Sequence, residues 1–284
     1  MNKALNIAFL LTGLGVNAQM PDTDIWLFRI VKEGNPGLSH PVNITSRPGY
    51  DNQPSFSADG KKIYYSSVRE DGQADIYSYD IKKKKATRVT GDPESQYSPT
   101  PVAGTSLLAA VVVEKDSSQR IHLIDPVSGS NAGDPFLDSV GYFTFLNNDS
   151  VVYYKLTSPH SLRLHSRSTG IDKWIGNSPA RGFVAATRHT LIYGLKDTSR
   201  LTIYRYDFLL HKAEKITECE TPDEDLRWVP QWGLARSHGS LILRFDTVRN
   251  EWITVADMSQ FGISKITRFA VFENKYLVAV ESKP

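Results

Sequence analysis

Short apolar segments alternate with turns along almost the whole chain, and one stretch shows the pattern most clearly. Ile63-Tyr64-Tyr65 and Ile76-Tyr77-Ser78-Tyr79 are rich in β-branched and aromatic residues, which predicts two strands. Asp59-Gly60 and Asp71-Gly72 predict tight turns, because glycine adopts positive φ without a steric penalty. With a further strand before the first turn and another at Arg88-Val89-Thr90, this stretch predicts a four-stranded antiparallel meander.

The third strand of this meander has counterparts along the chain. Its buried apolar position aligns with six residues, namely Ile25, Ile76, Ile121, Leu162, Ile203 and Ile253. Their separations are 51, 45, 41, 41 and 50 residues, close to the roughly 40–50 residues of a propeller blade. First and second strands are predicted near residues 54–67, 99–113, 143–155, 183–195, 230–245 and 269–281. The fourth strand of the third repeat is unclear and falls near residues 135–137.

The chain therefore begins with the last two strands of a blade and ends with the first two. Six whole blades form only if both ends share one sheet, which closes the ring and leaves no free inner edge. We predict an all-β fold, a six-bladed β-propeller of four-stranded antiparallel blades, as a single domain over residues 19–284. The alternative is an open β-sandwich or two smaller β domains, which the regular spacing and the complementary ends disfavour.

The meander resembles the repeat of TolB-type propellers, which are WD-like in architecture. Ser57-Ala58-Asp59-Gly60, Arg69-Glu70-Asp71-Gly72 and Asp75-Ile76-Tyr77 match the family's two turns and its Asp-Ile-Tyr strand. Ala58 stands where the family has proline, and Glu70 is an extra residue in its turn. The resemblance implies a periplasmic protein of an envelope assembly. We do not expect the separate N-terminal domain of TolB, because few residues precede the first strand.

The first 18 residues predict a cleavable signal peptide. Lys3 is followed by a short apolar core, and Val16-Asn17-Ala18 is a small-residue cleavage site. The apolar core is too short to span a bilayer, and no cysteine follows it for lipid attachment. We therefore expect a periplasmic or secreted protein without a membrane span. Cys219 is the only cysteine, so no intrachain disulfide is expected.

Composition and charge narrow the classes of partner. The net charge is +2, from 33 basic and 31 acidic residues, so neither nucleic acid nor an anionic membrane surface is an expected partner. No Gly-x-Ser-x-Gly motif, glycine-rich phosphate loop or clustered metal-ligand spacing occurs. We predict no catalytic residues, no metal and no cofactor.

A binding surface is predicted at one end of the central channel. In a propeller, the connections from each outermost strand to the next innermost strand open on one face around the channel. The residues predicted to converge at this channel mouth are Tyr50, Asp51, Tyr97, Tyr142, Arg181, Arg227, Trp228 and Arg268. Arginine with tyrosine or tryptophan is enriched at interaction hot spots, and arginine pairs bidentately with carboxylates. The alternative is that these aromatic residues pack the strand ends and the arginines are solvated.

Two functions of different class follow. The first is a non-catalytic propeller that binds a protein or peptide partner in the cell envelope, with a small carboxylate or glycan as a further ligand class. The second is a carbohydrate-binding propeller, or a lyase-like or hydrolase-like enzyme, with its site at the same channel mouth. Fold alone does not decide between them.

Overall fold

The computed structural model describes residues 20–31, 37–220 and 224–283, which form 23 strands in six antiparallel sheets. The predicted signal peptide, residues 1–18, lies outside the described residues. The only helix within the described residues is one 3-10 turn, Ser259–Phe261, and no described helix is long and apolar enough to cross a membrane.

The six sheets are blades of one ring, and the strands follow each other along the chain. Strands β1 (Thr23–Val31) and β2 (Gly37–Asn43) belong to blade 1. Blade 2 contains β3 (Asp51–Phe56), β4 (Lys62–Val68), β5 (Ala74–Asp80) and β6 (Lys85–Arg88). Blade 3 contains β7 (Ser95–Pro101), β8 (Leu108–Val113) and β9 (Gln119–Ile124). Blade 4 contains β10 (Val140–Phe145), β11 (Ser150–Lys155), β12 (Ser161–Ser166) and β13 (Asp172–Asn177).

The remaining strands complete the ring. Blade 5 contains β14 (Pro179–Thr187), β15 (Thr190–Lys196), β16 (Arg200–Asp207) and β17 (Lys212–Glu220). Blade 6 contains β18 (Leu226–Val229), β19 (Gly233–His238), β20 (Leu241–Asp246) and β21 (Glu251–Asp257). Strands β22 (Ile266–Phe272) and β23 (Tyr276–Ser282) return to blade 1. Successive blades contact each other and blade 6 contacts blade 1, so blades 1 and 4 face each other across the axis.

Both ends of the chain pair in blade 1, as predicted. Strand β1 pairs antiparallel with β23, in register from Thr23 opposite Ser282 to Arg29 opposite Tyr276. The Lys283 ammonium lies 2.9 Å from an Asp24 carboxylate oxygen and adds an ion pair to this closure. The six-bladed propeller predicted from the sequence is confirmed.

Blade 3 differs from the prediction of four strands. It has three strands, and two isolated bridges, Ile121 to Phe136 and Ile124 to Asn131, occupy the place of the outermost strand. Pro135 lacks a backbone N–H and Gly133 has a φ of 139°, so this segment cannot continue a regular ladder.

The assignment of strands in blade 6 was wrong by one strand. Ile253, predicted to lie in a third strand, belongs to the outermost strand β21. The third strand is β20, and its buried position is Ile242, which is fully buried, whereas Ile253 is half-buried. The short turn at Gly239, with a φ of 57°, joins β19 to β20.

The core lies between the faces of neighbouring blades. The third-strand residues at the aligned position are all fully buried, namely Ile25, Ile76, Ile121, Leu162, Ile203 and Ile242. Burying an aliphatic side chain of this size contributes about 1.5–3 kcal/mol relative to leaving it exposed. These contacts fix the blades around the axis and thereby position the innermost strands that line the channel.

Candidate functional site

Bulges in the innermost strands position the side chains at the channel. The pairing with the second strand is interrupted in β3, β7, β10, β14 and β22, close to the beginning of each strand. Gln53 and Ser98 lie within two of these interruptions and have φ values of 57° and 55°. A bulge inserts a residue and re-aims the neighbouring side chains. The interruptions in β10, β14 and β22 include or adjoin Tyr142, Arg181 and Arg268.

These side chains surround a cavity of about 200 Å³ at the channel mouth, which we call the upper cavity. It is lined by Met20, Pro21, Thr23, Tyr50, Asn52, Gln53, Tyr142, Tyr154, Arg181, Lys196, Glu224, Thr267, Arg268 and Ser282. The residues come from blades 1, 2, 4 and 5 and from the segment that leads into blade 6.

Arg268 spans the channel from blade 1 to blade 4. Its Nη2 lies 3.4 Å from the Tyr142 hydroxyl, and its guanidinium lies 5.3 Å from the centre of the Tyr142 ring. Only 8% of Arg268 is exposed. The residue therefore places a buried positive charge near the axis of the ring.

Arg181 reaches the same region from blade 5. Its Nη2 lies 3.4 Å from the carbonyl oxygen of Thr267, whereas its buried Nε has no hydrogen-bond partner within the described part of the chain. The backbone N–H of Arg181 donates to Glu224 Oε2 at 3.1 Å. This bond depends on Gly182, because a Cβ there would lie 2.1 Å from the Glu224 carbonyl oxygen.

The carboxylates near the channel are already engaged. Glu224 lies 3.0 Å from the Lys196 ammonium, and Asp225 lies 3.0 Å from Nη2 of Arg227 and accepts a hydrogen bond from the Phe269 backbone. Among the described residues, no carboxylate lies within 4.0 Å of the guanidinium of Arg181 or Arg268.

Three guanidiniums thus lie close together near the axis. Burial lowers the pKa of Arg227; Asp225 opposes this effect, and the charges of Arg268 and Arg181 lower the pKa further. Arg227 is otherwise satisfied, since its Nε donates to the Phe269 carbonyl at 2.6 Å. Asp225 also attracts Arg268, but it is paired with Arg227, so one carboxylate faces three guanidiniums and the cluster keeps a net positive charge.

Tyrosines supply the aromatic part of the wall. Burial raises the pKa of Tyr50, although the charges of Arg268 and Arg181 act in the opposite direction. Burial also raises the pKa of Tyr97 to about 12 and raises that of Tyr154. These phenols stay protonated at neutral pH, and those of Tyr50 and Tyr154, which line the cavity, can donate hydrogen bonds to an anion.

The fold has counterparts among solved structures, although no family model matches the sequence. A proposed TolB from Agrobacterium tumefaciens is 12% identical with a TM-score of 0.67, over 93% of this chain and 99% of that one. TolB from Acinetobacter baumannii is 15% identical with a TM-score of 0.52, over 71% of this chain and 53% of that one. This chain has the fold of a TolB-type six-bladed propeller.

An enzyme shares the architecture. A gluconolactonase from Xanthomonas campestris is 11% identical with a TM-score of 0.61, over 95% of this chain and 99% of that one. At such identities the similarity concerns the fold alone. The ligand of this TolB-type propeller has to be inferred from its own residues.

The predicted site residues fall into two groups. Tyr50, Tyr142, Arg181 and Arg268 line the upper cavity. Tyr97 packs beside Tyr50 behind the wall.

The other three predicted site residues lie away from the cavity wall. Asp51 is fully buried and paired with Arg47, whose Nε lies 3.1 Å from Asp51 Oδ2. Arg227 lies further along the channel. Trp228, predicted at the channel mouth, is half-buried against the core between blades 5 and 6.

Sequence reasoning missed several lining residues. Tyr154 and Lys196 lie at the ends of second strands, β11 and β15, which open on the same face as the innermost-strand connections. Strand order alone would have pointed to them. Glu224 belongs to the acidic segment before Trp228, but its place at the cavity depends on the close approach of β14 at Gly182.

The chemistry of the donor set favours anions over cations. In residues 20–31, 37–220 and 224–283, no group of three or more His, Cys, Asp or Glu side chains is arranged to hold a metal ion. Guanidiniums, phenols and an ammonium dominate the polar groups of the upper cavity. Such a wall can bind a carboxylate through charge-assisted hydrogen bonds.

Proposed function

We propose that this chain is an exported, non-catalytic propeller that binds a protein or peptide partner of the cell envelope through a carboxylate at the channel mouth. The observation that carries the proposal is the pair of guanidiniums, Arg181 and Arg268, on the cavity wall with no carboxylate within 4.0 Å among the described residues.

The physical argument is one of charge balance. A buried charge without a partner costs free energy, and buried charges in proteins are usually paired. A ligand carboxylate would supply the missing partner, and a guanidinium can bind both of its oxygens. The Lys196 ammonium is paired with Glu224. Arg181 and Arg268 are therefore the groups that can bind an incoming anion.

The size of the upper cavity supports a peptide over an enclosed small molecule. Its volume is about 200 Å³, below the roughly 300–1,000 Å³ of pockets that enclose a drug-sized ligand. One residue of a partner fits there while the rest of the partner stays outside. The tyrosines around the opening provide contact area of the kind found at interaction hot spots.

A displayed library of random peptides tests this function. The library is panned on the wild type, on the Arg181→Gln/Arg268→Gln variant and on an Arg205→Gln/Arg249→Gln control with the same change in charge. Arg205 and Arg249 are exposed on blades 5 and 6. We expect the wild type and the control to enrich carboxylate-bearing peptides that the first variant does not retain. Equal enrichment by all three proteins, or enrichment without carboxylates, would contradict the proposal.

A parallel measurement addresses the alternative function. The same three proteins are screened against neutral and acidic oligosaccharides. Retention of sugars, in the absence of any arginine-dependent peptide, would favour the carbohydrate-binding or enzymatic class.

A further inference from the structure

The channel does not end at the two arginines. Beyond them lies a second space of about 440 Å³, the lower chamber, which opens along the innermost strands. Four residues line both spaces, namely Gln53, Tyr142, Arg181 and Arg268. These four residues form a waist between the upper cavity and the lower chamber.

The lower chamber differs from the upper cavity in the kinds of apolar side chain that line it. Its wall includes half-buried apolar side chains, namely Phe56, Val184, Ala270, Val271 and Phe272. Hydroxyls of serine and threonine accompany them, and the only charged residues on its wall are Arg181, Arg227 and Arg268. The wall of the upper cavity has no Val, Leu, Ile or Phe side chain, and its apolar surface includes Met20, Pro21 and the tyrosine rings.

The channel thus has a cationic waist with a space on either side of it, and several apolar side chains line the lower space. The carboxylate is the end of an Asp or Glu side chain. If it bound at the waist, no further atoms of that side chain would enter the lower chamber. An α-carboxylate is different, because a side chain is attached to the adjacent Cα. Within a peptide, only the C-terminal residue has a carboxylate and an apolar side chain attached to the same Cα atom.

We propose that the ligand is the C-terminus of a peptide that ends in an apolar residue. Its α-carboxylate pairs with Arg181 and Arg268, its last side chain enters the lower chamber, and the preceding residues lie in the upper cavity. This inference rests on the proposed function and specifies the ligand of the same site.

The waist changes its hydrogen bonds when the carboxylate binds. In the structure Nη2 of Arg268 lies 3.4 Å from the Tyr142 hydroxyl across the ring. An ionised carboxylate is a stronger acceptor than a neutral hydroxyl. The carboxylate therefore replaces the hydroxyl as the partner of Arg268, and the Tyr142 ring moves aside to open the way to the lower chamber.

The upper cavity also has an exit for the rest of the peptide. A neighbouring depression on the same face shares Tyr154 and Lys196 with it and continues past Pro159, His160 and Ser178. This path leads outward between blades 4 and 5. The peptide chain upstream of the terminal residues can follow it to the surface.

Fluorescence anisotropy with labelled peptides of sequence Gly-Ser-Gly-Ser-Gly-X tests the inference. X is Leu, Phe or Gly, and each peptide is prepared as the free acid and as the C-terminal amide. A further amide peptide carries one internal Glu. We expect Leu and Phe free acids to bind at least about tenfold more tightly than the Gly acid, in line with the discrimination that apolar pockets achieve. We expect the amides to lose binding, and the internal Glu to restore it only weakly.

A protein variant supplies a second readout. Val184→Thr/Val271→Thr keeps the shape of the chamber but makes its wall polar, and we expect it to reduce the preference for Leu over Gly while binding of the Gly acid is retained. If the internal-Glu amide binds as tightly as the free acids, and X has no effect, this inference falls while the proposed function stands. If no peptide binds in an Arg181- and Arg268-dependent way, both fall.

Discussion

The guanidinium of Arg268 lies 3.4 Å from the hydroxyl of Tyr142, although the two residues are 126 positions apart and stand on opposite blades of the ring. The contact crosses the axis of the propeller and divides the channel into an upper cavity and a lower chamber. It also leaves Arg268 with a neutral partner, while no carboxylate of the described chain comes within 4.0 Å. The site therefore combines a closed waist with an unbalanced charge, and both features are changed by an anionic ligand.

Removing this charge should cost the ligand-free protein little stability. We expect Arg268→Met to change the free energy of unfolding by less than about 1 kcal/mol in urea titrations, because relief of the burial of the guanidinium is offset by the loss of its attraction to Asp225 and of its contact with Tyr142. Arg47→Met is the matched control, since Arg47 is paired with Asp51 and also donates to the Val68 carbonyl at 2.6 Å. Its loss leaves the buried Asp51 without its ion-pair partner, with only the Ser67 hydroxyl and the charge of Arg69 to compensate, and should cost about 3 kcal/mol. A loss for Arg268→Met as large as that for Arg47→Met would show that Arg268 is structural.

Binding of a carboxylate peptide should be nearly independent of pH above neutrality. The pKa of Tyr97 is about 12, and burial also raises the pKa values of Tyr50 and Tyr154, so the phenols stay protonated. Guanidiniums stay charged throughout this range. Affinity should then be flat from about pH 6 to about pH 10 and fall below about pH 4, where the ligand's own carboxylate gains a proton. Anisotropy titrations across this range measure it, and a midpoint near about pH 6.5 would instead indicate a histidine.

The close approach of the backbone of Glu224 and Leu226 to Gly182 should be essential for the site. An added Cβ would lie 2.1 Å from the Glu224 carbonyl oxygen and 2.3 Å from the Leu226 nitrogen, both backbone atoms that cannot rotate away. We expect Gly182→Ala to lower the free energy of unfolding by about 2 kcal/mol or more and to weaken peptide binding. In Gly141→Ala the nearest atoms are side-chain ends of Leu156 and Tyr154 at 3.2 Å. This control should lose less than about 1 kcal/mol, and equal losses in both variants would contradict the assignment.

The ion pair at the ring closure should contribute measurably to stability. Lys283 lies 2.9 Å from Asp24, whose carboxylate is almost fully buried. We expect a coupling energy of about 1 kcal/mol in a double-mutant cycle of Lys283→Met and Asp24→Asn, followed by urea denaturation. Additive effects of the two substitutions would mean that backbone pairing alone closes the ring.

Much of the fold follows from local patterns in the sequence. Strand periodicity and the turn at Gly60, which has a φ of 65°, identify the blade, and the spacing of the aligned residues such as Ile76 and Leu162 identifies the ring. Alternation does not say which strand of a blade a segment forms. The strand around Ile253 was therefore exchanged for the one around Ile242, which follows a turn too short to recognise by composition.

The site was only partly predictable for a different reason. Arg181 and Arg268 follow from their positions at the start of innermost strands, which the repeat pattern locates. Glu224 and the contact between Arg268 and Tyr142 depend on how distant blades approach each other across the ring. Such contacts join residues far apart in sequence, so no local pattern records them. The half-buried place of Trp228 is of the same kind, because it depends on packing between blades 5 and 6.

The central claim is that Arg181 and Arg268 bind a ligand carboxylate, and side-chain NMR of the arginine Nε–H groups tests it most directly. Signals are assigned by single Arg→Gln substitutions and followed while the Leu-terminated free-acid peptide is added. The account predicts saturable shifts of the Arg181 and Arg268 signals, with no shift for the exposed Arg249 and none with the amide peptide. Unchanged Arg181 and Arg268 signals at saturating peptide would contradict it.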